Sequence, residues 1–178
     1  MIVLCEGHDG TGRSELASRL AADLGLVVVH PDLRAGSALA ALTELEQSVV
    51  AQPTRAVIVD RMHLTAHAHG LITAEAWSVV DDYLARRFSY LLLLVESPFK
   101  IEQRLSRAGD ATREQIGTTC GRFNAAFSAS NVPHKRSLRL PDFLDPTTGE
   151  PTEIYRRFVE LIRSRLNRAS TGGASVPI

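Results

Sequence analysis

The stretch Cys5-Glu6-Gly7-His8-Asp9-Gly10-Thr11-Gly12-Arg13-Ser14-Glu15 is dense in groups that handle phosphate. Gly7 and Gly12 stand five apart and are followed by Arg13 and Ser14. That is the frame G-x-x-x-x-G-K-[ST], with arginine in place of lysine. Glycines let main-chain N–H groups turn inward around phosphate oxygens. A helix starting just after them adds the partial positive charge of its N-terminus. Ser14 can place its hydroxyl on Mg²⁺. Arg13 keeps the positive charge but is longer and forked, so it meets the terminal phosphate oxygens as a planar pair of donors. Gly7, His8, Gly10, Thr11, Gly12, Arg13 and Ser14 are therefore expected to cradle the polyphosphate of ATP·Mg²⁺. A second pair, Asp60-Arg61, ends the apolar run 55–60. A carboxylate at such a place is suited to ordering metal-bound water, and an arginine there would otherwise be odd.

These residues need elements to position them. Strand candidates are 1–5, 24–30, 55–60, 89–96 and 136–140, and the first four are continuously apolar, as strands buried on both faces are. Helical spacing lies between them, over 14–24, 37–52, 73–88, 97–109, from Thr112 towards Ser130, and 151–167. Ser97 and Pro98 fit an N-cap and first helical position, and Thr112 with Gln115 fits a capping box. The alternation predicts an α/β fold with a five-stranded parallel sheet and helices on both faces. Ligands of such sheets bind at the carboxyl ends of the strands, where Gly7, His30, Asp60 and Glu96 all fall. Residues 1–168 are expected to form one domain, with 169–178 a flexible tail.

The chain has 178 residues, 44% of them hydrophobic, and Lys+Arg equals Asp+Glu at 20 each. That balance argues against a nucleic-acid backbone as partner. Cys5 and Cys120 make no metal spacing, and Cys5 reads as a buried small hydrophobe. The longest apolar run is too short for a bilayer, and a strand-like segment opens the chain, so a soluble, cytoplasmic protein is expected. His63 and His67 are four apart, but nothing near them in sequence completes a zinc set; helix packing or a nucleotide contact is the preferred reading.

The run Glu6–Ser14 resembles the thymidylate kinase loop E-G-x-D-G-x-G-K-[ST], departing only at Arg13. The stretch VDRMHLTAHAHG (59–70) is similar to that family's D-R-[YF]-x-x-S-x-x-A-Y-Q-G. Asp60, Arg61 and Ala68 match, Thr65 stands for serine, Met62 replaces the first aromatic, His69 holds the tyrosine position, and Gly70 comes one residue early. Residues 90–110 look like the family's fourth strand and next helix, leading into an arginine-bearing lid. GRFNAAF (121–127) resembles the helix after it. The resemblance implies a P-loop kinase fold, ATP- and Mg²⁺-dependent phosphorylation of dTMP, and often a homodimer. It would bring Asp9 to the acceptor sugar, Asp60 near Mg²⁺ and Arg61 to the acceptor phosphate. Arg104 and Arg107 would supply charge from the lid.

The family's arginine before the proline that follows the second strand is missing, and Arg34 is the substitute in reach. No aromatic occupies the helix that would stack on thymine; Trp77 and Phe99 are nearest and read more simply as core. Asp32 supports another reading. Deoxynucleoside kinases place a carboxylate after the second strand to take a proton from a sugar hydroxyl, which a phosphate acceptor does not need. The alternatives are therefore a kinase acting on a hydroxyl of a nucleoside, modified nucleotide or other small molecule, and a nucleotide-binding protein impaired by Arg13.

Overall fold

The computed structural model describes residues 1–31, 38–105 and 112–171. Five parallel strands form one sheet in the order β2-β3-β1-β4-β5. They are β1 (Ile2–Gly7), β2 (Val28–Val29), β3 (Val57–Asp60), β4 (Ser89–Leu94) and β5 (His134–Leu138). The helices are α1 (Arg13–Leu24), α2 (Ala38–Ala51), α3 (His63–Ala68), α4 (Ala74–Arg86), α5 (Pro98–Leu105), α6 (Arg113–Ala129), α7 (Leu140–Phe143) and α8 (Glu153–Thr171). No helix among the described residues is long and apolar enough to cross a membrane.

Strand alternation divides the core in two. Val3, Cys5, Leu92 and Leu94 face α1, α7 and α8, where Leu16, Leu20, Phe143, Tyr155 and Ile162 pack. Ile2, Leu4, Val59, Leu91 and Leu93 face α2, α3, α4 and α6. Cys5 is fully buried as expected, and burial pushes its thiol pKa up. The register pairs Cys5 with Asp60 and Gly7 with Leu94, so three strands end together around the glycine loop.

Several boundaries differ from expectation for local reasons. Gly25 adopts the left-handed conformation (φ 66°) and closes α1, with Leu26 N–H donating to Ala21 O at 2.9 Å. That cap uses up the start of the apolar run 24–30, leaving only Val28–Val29 to pair with β3. At the other edge, Pro141 in the first turn of α7 ends the extended chain early, and β5 shifts to His134–Leu138. Thr112 and Gln115 make the predicted capping box. Helix α8 runs to Thr171, past the point assigned to the tail. Helix α3, one and a half turns long, carries too little periodicity to be read from sequence. β5 is the outer strand, and its first four residues are exposed.

Candidate active site

Gly7, Gly10 and Gly12 all have positive φ (144°, 82° and 86°) in the turn between β1 and α1. A Cβ on Gly7 would lie 2.5 Å from Leu94 O, so the loop passes β4 at a distance only glycine allows. Thr11 closes the turn, its Oγ1 donating to His8 O at 2.8 Å and its N–H at 3.3 Å. Gly12 is the N-cap of α1 and supplies no side-chain cap, which leaves the first-turn amides for an anion. Ser14 is exposed at that terminus.

Arg13 is almost fully buried. Its Nε donates to Asp60 Oδ1 at 2.7 Å, one terminal nitrogen donates to Gly7 O, and the other donates to Asp9 Oδ1 at 3.1 Å. Arg61 donates to the same Asp9 oxygen at 2.7 Å. Asp60, Arg13, Asp9 and Arg61 thus form a chain of alternating charge from the floor of the site to its surface. Burial would raise the Asp9 carboxyl, but Arg61 and Arg13 outweigh it and hold its pKa below the usual range. Asp60 is not the partner of its sequence neighbour: Arg61 has φ 71°, and that turn sends its side chain away from Asp60.

On the opposite rim Arg104 donates to Gly10 O at 2.7 Å and lies 3.7 Å from Glu96 Oε2, as does Lys100. Glu96 lies two residues past the end of β4 and also accepts from Ser97 N–H at 2.8 Å. His8 and His69 face each other with ring centroids 6.0 Å apart, and Phe123 meets His69 edge-on. Burial and the neighbouring His8 lower the His69 pKa.

The residues read from sequence therefore converge: Gly7 to Ser14, Asp60, Arg61 and Arg104 share one end of the sheet. Asp32, Arg34 and Arg107 lie outside the described residues. Phe99 is not core as expected; it is half exposed, with the Arg113 guanidinium 5.0 Å from its ring centre. Trp77 packs beneath α3 against His67 and His63, away from the loop. Sequence reasoning missed Glu6, which is fully buried behind the loop and bonded to the first turn of α3. The signal was available, since a charged residue directly continues an apolar strand.

The donor set fits Mg²⁺. This cation keeps several waters and needs few protein oxygens. The Ser14 hydroxyl is at the mouth, and Asp60 leaves Oδ2 off Arg13, 3.8 Å from His30 Nδ1. A cavity of about 40 Å³ beside the loop is lined by His8, Thr11, Glu96 and Asn124. A larger hollow of about 550 Å³ lies between β5 and α8. Its strand lining is Tyr90 and Leu92 of β4 and His134 to Arg136 of β5, none of them at the carboxyl ends where ligands of parallel sheets bind.

No protein-family model matches the chain, and no curated protein matches its sequence. Solved structures do match. The YorR protein from Bacillus subtilis, in complex with phosphorylated GDP, superposes with a TM-score of 0.71 at 16% identity, over 94% of this chain and 98% of that one. Deoxyadenosine kinase from M. mycoides with bound dCTP gives 0.52 at 14% identity, over 94% and 99%. At such identities the likeness speaks for the fold alone: the chain has the P-loop kinase fold.

Proposed function

We propose that the chain is an ATP- and Mg²⁺-dependent kinase that phosphorylates a deoxynucleoside monophosphate, with dTMP the first acceptor to test. The observation that carries this reading is the chain Asp60–Arg13–Asp9–Arg61 at the mouth of a glycine loop. Phosphoryl transfer needs in-line placement and cations along the transferring group rather than covalent help. An oxygen of the acceptor phosphate attacks the γ-phosphorus, the bond to the β–γ bridging oxygen breaks, and ADP leaves with the electron pair.

Arg13 already donates to a loop carbonyl and two carboxylates, and on nucleotide binding it exchanges those acceptors for β/γ oxygens. Arg61, half exposed and bonded to Asp9 through one terminal nitrogen, turns its guanidinium to the acceptor phosphate while Asp9 takes the sugar hydroxyl. Held ionised by two guanidiniums, Asp9 is a poor base, which suits an acceptor that is already an anion. Ser14 and Asp60 would hold Mg²⁺, which when bound draws charge off the transferring phosphoryl group. Small nucleotides are the partners, and a homodimer is part of the proposal.

The test is a coupled assay of ADP release over a panel of nucleosides and nucleoside monophosphates. A folded protein that turns over none of them refutes the assignment. Asp32, a carboxylate that follows the second strand in sequence, favours a second reading, a hydroxyl acceptor with Asp32 as base. It predicts turnover of nucleosides but not monophosphates, abolished in Asp32→Asn. The buried tie between Arg13 and Asp60 favours a third, an impaired nucleotide binder. It predicts ATP binding by calorimetry without product, and Arg13→Lys then tests whether the loop alone is at fault.

A further inference from the structure

We propose that Glu6, His63 and Asp81 form a buried positioning array that holds Arg61 in place for the acceptor, with the His63 imidazolium bridging the two carboxylates. The inference rests on the proposed role of Arg61 as the acceptor-phosphate ligand.

Strand alternation aims Glu6 into the layer of α3, α4 and α6, where it is fully buried. Its Oε1 accepts from Met62 N–H and Leu64 N–H, each at 3.1 Å. Its Oε2 accepts from Thr65 N–H at 3.0 Å and Thr65 Oγ1–H at 2.5 Å. These are the orphan donors of the first turn of α3, whose own N-cap, Met62, offers no side-chain acceptor. A carboxylate on a distant strand thus does the capping. It does so next to Arg61, a non-glycine residue held at positive φ (71°). Such backbone persists where its surroundings over-determine it. Here Arg61 N–H is fixed on Cys5 O at 3.1 Å and Met62 N–H on Glu6. The resulting turn directs the Arg61 guanidinium onto Asp9.

A fully buried carboxylate needs a cation, and His63, also fully buried, is beside it. His63 Nδ1 lies 3.4 Å from Glu6 Oε1, at ion-pair distance, and Nε2 lies 3.0 Å from Asp81 Oδ1. The Nε2 contact is a hydrogen bond, whereas Nδ1 is a buried nitrogen that makes none and meets Glu6 at ion-pair distance alone; a proton on both nitrogens is what turns that second contact from an orphaned polar atom into an attraction. Asp81 is held by Ser130 Oγ–H at 2.5 Å and Asn131 N–H at 2.6 Å, at the carboxyl end of α6. The groups that face the imidazole are Glu6 from β1, Asp81 from α4 and the Trp77 ring from α4. Burial opposes its charge, but Asp81 and Glu6 outweigh burial and raise the pKa. The array therefore joins the root of the loop, the turn bearing Arg61, and two helices.

Three measurements test it. With the best nucleoside monophosphate, His63→Gln and Asp81→Asn should raise the acceptor KM about tenfold or more, while the ATP dissociation constant moves less than about twofold. Asp81→Asn removes one of the two carboxylates that favour the imidazolium, so as pH is raised the acceptor KM should begin to climb at a lower pH than in wild type, where His63 keeps its proton longer. Parallel rises in both constants, or no rise in either, overturn the proposal. Amide exchange needs no substrate. In His63→Gln the Met62, Leu64 and Thr65 amides should exchange faster while β4 amides do not, and unchanged exchange overturns the array. If neither variant folds, ¹⁵N NMR of wild-type His63 decides: both ring nitrogens protonated at neutral pH supports the bridge, and a neutral tautomer refutes it. Wild-type protein that passes the exchange and NMR tests yet phosphorylates no monophosphate indicts the functional reading instead.

Discussion

Replacing Arg13 by methionine keeps an unbranched side-chain stem and removes the guanidinium with its charge. The Arg13 and Asp60 side chains are only 3% and 4% exposed, so Asp60 would be left as a buried, unpaired carboxylate. Breaking a buried pair from one side costs about 3–5 kcal/mol. The lost bond to Asp9 adds little, because Asp9 is 46% exposed and water replaces the arginine. At roughly 2–4 °C per kcal/mol for a chain of this size, Arg13→Met should lower Tm by about 6–20 °C. Asp60→Asn removes the other charge, and the double variant should recover much of the loss, giving a coupling energy of about 0.5–3 kcal/mol in the cycle. Differential scanning calorimetry of the four proteins without nucleotide measures this. Strict additivity, or a fall of less than about 2 °C in Arg13→Met, would show that the two charges do not meet out of water. The account of how Arg13 is held ready would then be wrong.

Gly7→Ala should abolish ATP binding in calorimetry and destabilise the fold by about 2 kcal/mol or more, since the new Cβ meets Leu94 O, a main-chain atom in the β1–β4 ladder. Thr112→Ala should cost about 1 kcal/mol in denaturant titration through loss of the α6 capping box. The His63 pKa is raised on folding, so its contribution to stability is complete below about pH 6.5, the unfolded value, and fades as pH climbs through the folded one. Glu6 is shifted the other way. Burial works to raise it, but the His63, Thr65 and Met62 contacts outweigh burial and lower it. Its contribution is complete above about pH 4.3 and is lost as pH falls towards the folded value. Glu6→Gln should therefore flatten the acid limb of a stability–pH curve, and Asp81→Asn should move the alkaline loss to lower pH.

The glycine loop, its helix and the Asp60-Arg61 pair were legible because the chemistry is local: strand, turn and helix follow one another, and a parallel sheet gathers the strand ends. The capping box at Thr112 is local too. Pairing was not legible. Asp60 and Arg61 are neighbours in sequence, yet one binds Arg13 and the other Asp9, because a single positive φ turns them apart. Glu6 binds backbone 56–59 residues away, and no spacing rule reaches that far. His63 looked short of acidic company for the same reason, since Glu6 and Asp81 arrive from other elements. Phe99 was read as core rather than as a base-pocket aromatic, but Ile101 took the inward position of α5.

The last strand of the sheet, β5, has no neighbour on its far side among the described residues and shows His134, Lys135 and Arg136 to solvent. Formal net charge is zero and the isoelectric point is about 7.0, so at neutral pH two molecules approach without any overall repulsion. A bare ladder of amides and carbonyls would then invite sheet-to-sheet stacking. The cationic border opposes it locally, because a second copy arriving edge-on would set like charges against each other. Lys135 is held there, its ammonium bonded to the Phe127, Ser128 and Ser130 carbonyls. Neutralising Lys135 and Arg136 would remove a safeguard against clumping that the bulk charge of the molecule does not supply.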